Sequence, residues 1–387
     1  MRVAIIHDWL NGMRGGERVL EELLGIFPGA TIYTLLHEPG KVSSFIESHR
    51  IDPSWLNRIP GIYRSYRNFL PLFPAAIESF DLSDYDLVIS SSHSVAKGIR
   101  PGRSLHICYC HTPMRYIWDA EDDYRFDPLR RLAMQCVRTP LQHWDCEAAN
   151  RVHHFIANSE FVRERIRRYY GRDAAVIYPP VNTRFFRASS SARRGDFYMA
   201  AGALVPYKRF DLIVEAFNKM GRRLIVAGNG PEAGRLRQMA ASHERSECKR
   251  DSAQPSNYVE VRGDVTDDEL RWLYRSAKGL IVAAREDFGI VAVEAQSCGC
   301  PVIAYGAGGS PEIVQDGVNG ILFAEQDADD IARAVLRADS MVWPVEQVRH
   351  QVEAFSRETF EDKVREFIGV RLEAHNGSAN RRHLQPA

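Results

Sequence analysis

The sequence of 387 residues has no excess of either charge, no long apolar run and no regular framework of cysteines. Basic and acidic residues number 50 each, so the composition gives no support for bulk binding of nucleic acid. No run approaches the roughly 18 apolar residues that span a bilayer, and the polar pair His7-Asp8 comes too early for a secretory signal. The seven cysteines are odd in number, which argues against a disulfide scaffold and for a reducing cytoplasm.

Two patterns resemble metal-binding sites but have a simpler explanation. Cys108 and Cys110, followed by His111, lie in a strand-like run that puts both thiols on one face, and no second ligand pair has zinc spacing. Asp84 and Asp86 form an Asp-x-Asp pattern, but they precede a strand and would lie at its amino-terminal edge. We therefore predict structural cysteines, a polar entrance to a strand and no metal site.

Short apolar runs alternate with segments of helical period, which is typical of α/β proteins with parallel sheets covered on both faces. The polar, basic segment 188–195 separates two such series, so we predict two Rossmann-like domains with a ligand in the cleft between them. A flexible loop is expected at 242–256 and a disordered tail at 373–387. The candidate strands are 3–6, 31–35, 87–90, 105–110, 154–157 and 176–178, then 197–201, 223–227, 259–261, 280–283, 302–304 and 320–323.

The most informative stretch is the one between Glu286 and Glu294, two carboxylates eight positions apart. A strand precedes it, and a helix is expected to begin at Gly289. The N-terminus of a helix suits a phosphate, whereas carboxylates are good acceptors for sugar hydroxyls. A ligand with phosphates between two sugars fits all of these features, and a nucleotide sugar is such a ligand.

Two further loops carry glycines ahead of a helix. Gly15 and Gly16 follow the first strand and allow backbone to approach a ligand, although a tight turn explains them equally well. Gly228 opens a loop whose glycine spacing is wrong for a dinucleotide fingerprint. A Rossmann dehydrogenase is therefore the weaker enzyme alternative, and a plain turn remains open.

Charged and titratable side chains also lie at expected strand ends. Lys208 and Arg209 precede a helix and would neutralise a diphosphate leaving group, or would simply be two solvated cations. His111 ends a strand, where it would donate to a sugar hydroxyl or an acceptor group, or be structural. Singly these signals are weak, and together their order is specific.

In this order the motifs resemble a retaining glycosyltransferase of family 4 with the two-domain GT-B fold. The resemblance covers residue 1 to about 370. It implies an acceptor-side domain at 1–182, a nucleotide-sugar-binding domain at 183–354, and a helix at about 355–372 that packs back on the first domain. The matching motifs are Gly15-Gly16, His111-Thr112-Pro113, Asn158-Ser159, Pro179-Pro180-Val181-Asn182, Pro206-Tyr207-Lys208-Arg209, Gly228-Asn229-Gly230-Pro231, Glu286 to Glu294, and Asp316-Gly317-Val318-Asn319-Gly320.

The resemblance also implies roles for single residues. Glu294 would bind the ribose hydroxyls, Lys208 with Arg209 would meet the diphosphate, and Glu286 would hold the donor sugar. His111 would lie near the sugar and the acceptor, and His111 and Glu286 would be the catalytic residues. Such enzymes resemble one another in needing no metal and no cofactor, because cations and helix dipoles stabilise the leaving group.

Further contacts follow from the same resemblance. The family often has an arginine where this chain has Ala203, so Arg209 would substitute for it or donor affinity would be low. The remaining donor-side residues are Gly15, Gly16, Gly228, Phe288, Gly289, Ile290 and Val291. The acceptor-side residues are Arg115, Tyr116 and Asn158.

The stretch from Cys108 to Tyr116 resembles bacterial mannosyltransferases that build lipid-linked surface polysaccharide. GDP-mannose is therefore the preferred donor, and a saccharide or lipid-linked oligosaccharide the expected acceptor. A UDP-sugar donor and a non-catalytic nucleotide-sugar-binding protein are the alternatives. The aromatic and arginine-rich segment 62–73 and the arginines of 163–168 would contact the inner membrane surface, or be packed and solvated.

Overall fold

The chain divides into two compact units, each built on one parallel sheet. The computed structural model describes residues 1–119, 128–190, 193–247 and 258–383. The second unit is Val181–Ser356, and the first consists of the described residues before and after it. The chain passes between units after Pro180 and after Ser356, each two residues from the boundary expected from the sequence.

The sheet of the first unit has seven parallel strands in the order β3-β2-β1-β4-β5-β6-β7. Ile5 on the central strand pairs with Ile32 on one side and Ile89 on the other. All three side chains are buried, as expected for a sheet covered on both faces. The strands are β1 Val3–His7, β2 Thr31–Thr34, β3 Ile51–Pro53, β4 Leu87–Ser92, β5 Leu105–Cys110, β6 His154–Ala157 and β7 Ala174–Val176.

The helices of the first unit cover this sheet. Helix α1 (Gly15–Ile26) buries Val19, Leu20, Leu23 and Leu24 in the core that holds Ile5. The helices are α1 Gly15–Ile26, α2 Ser44–Glu47, α3 Ile62–Ser65, α4 Phe73–Glu78, α5 Arg115–Trp118, α6 Pro128–Asn150 and α7 Glu160–Tyr170. Short 3-10 helices lie at Trp55–Arg58, Tyr66–Leu72 and Ala96–Gly98.

The sheet of the second unit has six parallel strands in the order β10-β9-β8-β11-β12-β13. The strand order reverses between β8 and β11, and ligands of open α/β sheets bind beyond the carboxyl ends of the strands at such a point. The strands are β8 Tyr198–Ala201, β9 Leu224–Ala227, β10 Val259–Gly263, β11 Leu280–Val282, β12 Val302–Tyr305 and β13 Gly320–Phe323. The helices are α8 Phe210–Met220, α9 Ala233–Glu247, α10 Asp267–Ser276, α11 Ile290–Ser297, α12 Ser310–Ile313, α13 Ala328–Asp339 and α14 Val345–Val348, with 3-10 helices at Pro206–Lys208 and Val352–Phe355.

The last helix, α15 (Arg357–His383), belongs to the first unit. Phe360, Val364 and Ile368 pack into the core that holds Ile5. The helix continues well beyond residue 372, so the disordered tail predicted from residue 373 was wrong up to residue 383. Packing explains the difference, because a helix that is already docked extends by one hydrogen bond per added residue, and His375 Nε2 lies 3.1 Å from a backbone carbonyl oxygen of the same unit. Residues 384–387 lie outside the described part.

Three other local expectations differ from the structure. The sequence did not indicate β3, which is three residues long and ends in proline, and β7 lies two residues before its predicted start. Helix α9 runs to Glu247 and so occupies the first part of the loop predicted at 242–256. The rest of that loop, and residues 191–192 of the predicted linker, lie outside the described residues.

The cysteines and the Asp-x-Asp pattern lie where the sequence placed them. Cys108 and Cys110 are free and fully buried on β5, and Asp84 and Asp86 precede β4. Over the described ranges, no group of three or more histidine, cysteine, aspartate or glutamate side chains is placed to hold a metal ion. Within the same ranges, every helix is too short or too polar to cross a bilayer.

A buried ion pair lies beneath the helices of the first unit. Lys97 and Asp145 are both buried and form a salt bridge. Asp145 also accepts hydrogen bonds from Trp118 Nε1 at 2.8 Å and from the Tyr170 hydroxyl at 2.7 Å. Burial alone would lower the pKa of Lys97, but the charge of Asp145 raises it above its usual value. The pair joins α5, α6, α7 and a 3-10 helix through one carboxylate.

Replacing Lys97 by methionine is expected to lower the free energy of unfolding by about 3 kcal/mol or more, because the Asp145 carboxylate would remain buried without its counter-ion. The matched control is Lys41→Met, since Lys41 is an exposed lysine of the same unit, and a shift within about 0.5 kcal/mol is expected there. Urea unfolding of both variants measures the difference. Equal midpoints would show that the buried pair does not stabilise this unit.

Candidate functional site

Three polar side chains meet at the carboxyl edge of the first sheet. His7 ends β1, Ser91 is the last residue but one of β4, and His111 follows β5 directly. These strands are neighbours in the sheet, so residues distant in sequence come together. Ser91 Oγ lies 3.1 Å from His7 Nδ1 and 2.8 Å from His111 Nε2. The predicted site residue His111 is therefore the end of a row of three hydrogen-bonding groups.

The predicted glycine loop lies against this row. Gly15 and Gly16 are the first residues of α1, and a Cβ atom added to Gly16 would lie 3.4 Å from His7 Cε1 and 3.7 Å from His111 Nε2. The next residue, Glu17, is buried, with Oε1 3.6 Å from His7 Nε2. The N-terminus of α1 thus lies in van der Waals contact with the two histidines, and a Cβ atom at Gly16 would make only ordinary contacts there.

A buried carboxylate organises the loop after β4. The two oxygens of Asp8 accept backbone N–H bonds from His93, Ser94, Val95 and Ala96, all at 2.7 to 2.9 Å. The Asp8 carboxylate also lies 3.1 Å from His93 Nδ1. Burial raises the pKa of Asp8, but His93 and the backbone N–H groups outweigh this effect, and the net pKa is lowered. Asp8 is therefore ionised at neutral pH.

His111 and His93 differ from the carboxylates of this edge in their charge at neutral pH. Burial, followed by the nearby His93 and His7, lowers the pKa of His111 to about 3. Burial likewise lowers the pKa of His93. For Glu17, burial raises the pKa, but the nearby His7 more than offsets this effect, and the net pKa is lowered. At neutral pH, His111 is therefore an uncharged ring beside two ionised carboxylates, suited to hydrogen bonding rather than to charge pairing.

The predicted acceptor-side residues differ in how they relate to this edge. Tyr116, on α5, bonds through its hydroxyl to Ser94 Oγ, in the loop that Asp8 holds. Arg115 begins the same helix and is partly buried. Asn158 follows β6, is buried, and accepts from Ser159 Oγ at 3.2 Å beside the start of α7. The first two residues thus adjoin the His111 loop, while Asn158 contributes to the next strand end.

In the second unit, an ion pair lies at the carboxyl edge where the strand order reverses. Lys208 ends a 3-10 helix after β8, and Glu286 follows β11. Lys208 Nζ lies 3.1 Å from Glu286 Oε1. Both line a small pocket whose other walls include Ala201, Ile281 and Val291. The structure therefore brings together two of the predicted donor-side residues.

The helix that follows Glu286 begins where the sequence placed it. Helix α11 starts at Ile290, and Gly289 precedes it with φ 112°, a conformation that favours glycine. Glu294 lies on this helix with 3% of its surface exposed and accepts from the Tyr274 hydroxyl at 3.2 Å. Phe288 is buried and packs against Phe355, with ring centroids 5.5 Å apart.

Arg209 does not share the partner of Lys208. Its backbone has φ 53°, a left-handed conformation that is uncommon for any residue except glycine. Its Nε donates to Asp211 Oδ1 at 3.3 Å and its Nη1 to Gln326 Oε1 at 3.2 Å. The adjacent cations that the sequence suggested would act together therefore contact different groups.

Glycine loops fix the backbone around the Lys208–Glu286 pair. Gly228 has φ 143°, and an added Cβ atom would lie 1.9 Å from the carbonyl oxygen of Gly202. Gly308 has φ 76°, and an added Cβ would lie 2.3 Å from the carbonyl oxygen of Glu286. In each of these loops, the backbone of one segment packs directly against the backbone of another. The predicted donor residue Gly228 thus has a packing role whether or not it contacts a ligand.

The segments predicted to meet a membrane are mostly packed. In the segment 62–73, Tyr66 and Phe73 are buried in the core, whereas Arg64 and Arg67 are exposed. Arg165 is buried and forms an ion pair with Asp119, so its inclusion in an exposed basic face was wrong. Helical period alone does not show that the side of α7 bearing this arginine packs against its own unit.

Two family models match the chain, one after the other. The model described as Glycosyltransferase Family 4 matches residues 14–185, and the model described as Glycosyl transferases group 1 matches residues 182–341. The chain consists of a family 4-like and a group 1 glycosyltransferase domain. The junction of the two matches lies close to the crossing at Pro180, so the family 4-like domain corresponds to the first unit and the group 1 domain to the second.

Curated relatives match parts of these domains. A D-inositol 3-phosphate glycosyltransferase of Streptomyces bingchenggensis is 34% identical over 204 residues, which are 47% of this chain and 44% of the relative. The protein of the same name from Mycobacterium sp. (strain KMS) is 29% identical over 229 residues, 56% of this chain and 49% of the relative. The chain thus spans about half the length of the curated relatives it matches.

Solved structures show the same architecture over nearly the whole chain. Anabaena HepE in complex with UDP and glucose has a TM-score of 0.70 at 17% identity, covering 95% of this chain and 99% of that one. Sucrose-phosphate synthase of Thermosynechococcus elongatus has a TM-score of 0.67 at 18% identity, covering 97% and 100%. These likenesses confirm the predicted α/β class and GT-B fold with two Rossmann-like domains.

The sequence pointed to His111 but not to the groups that hold it. Asp8, Glu17, Ser91 and His93 in the family 4-like domain, and Tyr274 in the group 1 domain, were not singled out as site residues. A usable signal existed for three of them, Asp8, Ser91 and His93, because His7-Asp8 and Ser91-Ser92-His93 each end a buried strand of the same predicted sheet. Polar residues that close neighbouring parallel strands are brought to one edge.

Replacing Asp8 by asparagine is expected to lower the free energy of unfolding at pH 7 by about 3 kcal/mol, because one amide oxygen cannot replace two carboxylate oxygens that accept four N–H groups. The folded-state pKa of Asp8 is depressed, so this contribution is present above the ordinary carboxyl pKa and is lost as the pH falls through the folded-state value. By urea unfolding, the difference in free energy of unfolding between wild type and Asp8→Asn should be smaller at acid pH than at pH 7. Asp81→Asn, at an exposed aspartate of the same domain, is the control and should stay within about 1 kcal/mol.

Replacing Gly228 by alanine is expected to destabilise the group 1 domain by about 2 kcal/mol or more, since the new Cβ atom would meet the Gly202 carbonyl oxygen. Gly234→Ala is the matched control, because Gly234 lies in α9 with no atom within 4 Å of an added Cβ. That variant should be neutral or more stable by up to about 1 kcal/mol. If Gly228→Ala kept full thermal stability and only lost nucleotide binding, the packing role would be refuted.

Proposed function

We propose that the chain is a retaining glycosyltransferase that moves a hexose from a nucleoside diphosphate onto a saccharide or lipid-linked hydroxyl in surface-polysaccharide assembly. The observation that carries the proposal is the Lys208–Glu286 pair, 3.1 Å apart at the strand-order reversal of the group 1 domain. A cation, a carboxylate and the start of α11 lie together there. These are the three kinds of group that a sugar diphosphate requires.

Each group has a proposed part in binding the donor. The Lys208 ammonium and the backbone N–H groups of 288–291 would bind the diphosphate, and Glu286 would accept hydrogen bonds from the sugar hydroxyls. Glu294, one helical turn further on, would accept from the ribose hydroxyls. Arg209 would join the diphosphate only by leaving its contacts with Asp211 and Gln326. Because this chain has Ala203 where related sequences often carry an arginine, Lys208 would supply most of the positive charge.

In the proposed reaction, the bond between the anomeric carbon and the diphosphate oxygen breaks, and its electron pair leaves with the diphosphate. The acceptor oxygen forms the new bond on the same face, and its proton passes to the leaving phosphate oxygen, so the configuration is retained. Lys208 and the N-terminus of α11 stabilise the charge that develops on the diphosphate. We propose that no metal and no cofactor is needed. His111 would orient a hydroxyl of the sugar or of the acceptor.

The donor and acceptor are proposed by class. GDP-mannose is the first candidate donor, because the stretch around His111 resembles mannosyltransferases. A UDP-sugar is the second, because HepE has been solved with UDP and glucose. A lipid-linked acceptor would be met at the cytoplasmic face of the membrane, where the exposed Arg64 and Arg67 favour contact with anionic lipid. The relatives named for inositol 3-phosphate make a phosphorylated polyol worth including among the acceptors tested.

The first test is thermal stabilisation by GDP, UDP and ADP, each with and without EDTA. A nucleotide at 100 times its dissociation constant adds about 2.7 kcal/mol to the folded state. Selective stabilisation by GDP that EDTA leaves unchanged is the expected result, and selective stabilisation by UDP would replace mannose by a UDP-sugar. Tight binding without turnover over a broad acceptor panel would favour a non-catalytic nucleotide-sugar-binding protein, and no binding at all would overturn the proposal.

The role of Glu294 predicts a specific loss of ribose recognition. The wild type should bind the preferred nucleoside diphosphate about tenfold more tightly than its 2′,3′-dideoxy analogue, and Glu294→Gln should bring the two affinities close together. Tyr274→Phe is the matched control, because it removes the hydrogen-bond partner of Glu294 but keeps the carboxylate. Calorimetric titration of both ligands against the three proteins measures all six affinities. An unchanged preference in Glu294→Gln would move ribose recognition to another residue.

A further inference from the structure

The hydrogen bonds in the row of His7, Ser91 and His111 run in one direction, and Glu17 lies beside the His7 end of this row. Ser91 Oγ lies within hydrogen-bond distance of a nitrogen of each histidine, 3.1 Å from His7 Nδ1 and 2.8 Å from His111 Nε2. A serine hydroxyl has one proton, so it donates to one of these nitrogens and accepts from the other. The proton positions on the two rings are therefore linked: fixing one ring fixes the other.

The carboxylate of Glu17 determines which direction is adopted. Its Oε1 lies 3.6 Å from His7 Nε2, beyond hydrogen-bond distance, and its negative charge stabilises a proton on that nitrogen. A proton on His7 Nε2 is therefore favoured, which leaves His7 Nδ1 to accept from the Ser91 hydroxyl. The Ser91 oxygen must then accept from His111, so His111 carries its proton on Nε2.

We propose that His7 and Ser91 are positioning residues that hold His111 as the Nε2–H tautomer, so that its Nδ1 is left as a hydrogen-bond acceptor for a substrate hydroxyl. This inference rests on the proposed function, in which that hydroxyl belongs to the transferred sugar or to the acceptor. It assigns roles to two residues that make no contact with the diphosphate. The opposite tautomer would instead present an N–H group to that hydroxyl, which is the donating role expected from the sequence.

The surroundings of the row favour one state. His7, Ser91 and Glu17 are all buried, so water does not compete for these hydrogen bonds. His111 is neutral because burial lowers its pKa to about 3, and only a neutral ring has a tautomer to be fixed. The charged and titratable groups that face the row come from α1, from β1 and from the loops after β4 and β5. They are Arg14 and Glu17, then Asp8, then His93, and finally His111 itself.

The test reads the tautomer directly, by long-range ¹H–¹⁵N correlation of the full chain labelled at histidine. His111 is assigned from the signal that disappears in His111→Gln. The wild type should show a protonated Nε2 and an unprotonated Nδ1 at neutral pH. Ser91→Ala should lose this single state, giving a mixture or the opposite tautomer, and Ser91→Thr, which keeps the hydroxyl, should retain it. Glu17→Gln should weaken the preference for this tautomer, because a side-chain amide can also donate a hydrogen bond to His7 Nε2.

The same strand provides a matched control. Ser90 Oγ lies 2.9 Å from His106 Nε2, a second serine–histidine hydrogen bond in the same sheet but outside this row. Ser90→Ala should therefore leave the His111 tautomer unchanged while it alters the His106 signals. A wild type with the proton on Nδ1, or a Ser91→Ala protein with the same tautomer as wild type, would overturn the proposal.

A kinetic measurement follows once a donor and an acceptor are known. Ser91→Ala should lower kcat about tenfold with an unchanged KM for the donor, and Ser91→Thr should restore most of it. The tautomer measurement needs neither donor nor acceptor. A fixed tautomer in a chain without transferase activity would therefore leave the positioning inference standing and refute only the proposed function. Transferase activity combined with an unchanged Ser91→Ala tautomer would do the reverse.

Discussion

The hydrogen bonds from four consecutive backbone N–H groups to the Asp8 carboxylate are the constraint on which the first unit's site depends. They tie the loop after β4 to the end of β1, and thereby fix where Ser91 and His93 lie. A buried charge is costly unless its oxygens are fully satisfied, and here four backbone N–H groups and the nearby His93 satisfy them. The hydrogen bond between Ser91 and His111 therefore depends on the contacts that satisfy the buried Asp8 carboxylate.

The two units organise their strand ends by different physical means. The family 4-like domain uses side chains, with a hydroxyl hydrogen-bonded to two imidazoles and a buried carboxylate beside them. The group 1 domain uses backbone, with glycine loops stacked on carbonyl oxygens around a single Lys208–Glu286 pair. A hydrogen-bonded network of side chains fixes proton positions, whereas a stacked backbone fixes the directions of N–H groups and charges. The first suits the orientation of hydroxyls and the second the binding of phosphate.

The sequence predicted the fold well because parallel strands buried on both faces are continuous apolar runs, as in β5 and β13, whose bounds it predicted without error. It missed β3, which is too short and ends in proline, and it ended α15 early, because helical period does not reveal tertiary packing. For the site, the spacing of Glu286 and Glu294 is local and was readable. The Asp8 contacts and the contact between Ser91 and His7 join strand ends 84 to 88 residues apart, which periodicity cannot register. Arg165 shows the same limit, since burial by its own unit is a tertiary fact.

The stacked glycine loops also bear on how such a protein can evolve. Because Gly228 and Gly308 place backbone directly against backbone, the frame around Lys208 and Glu286 tolerates no added side chain at those positions. The side chains that project from this frame are not constrained in that way. For the proposed function, new donor preferences are then accessible through single side-chain exchanges that leave the scaffold intact. A rigid backbone with exchangeable side chains is a simple route by which one fold acquires new substrate specificities without losing stability.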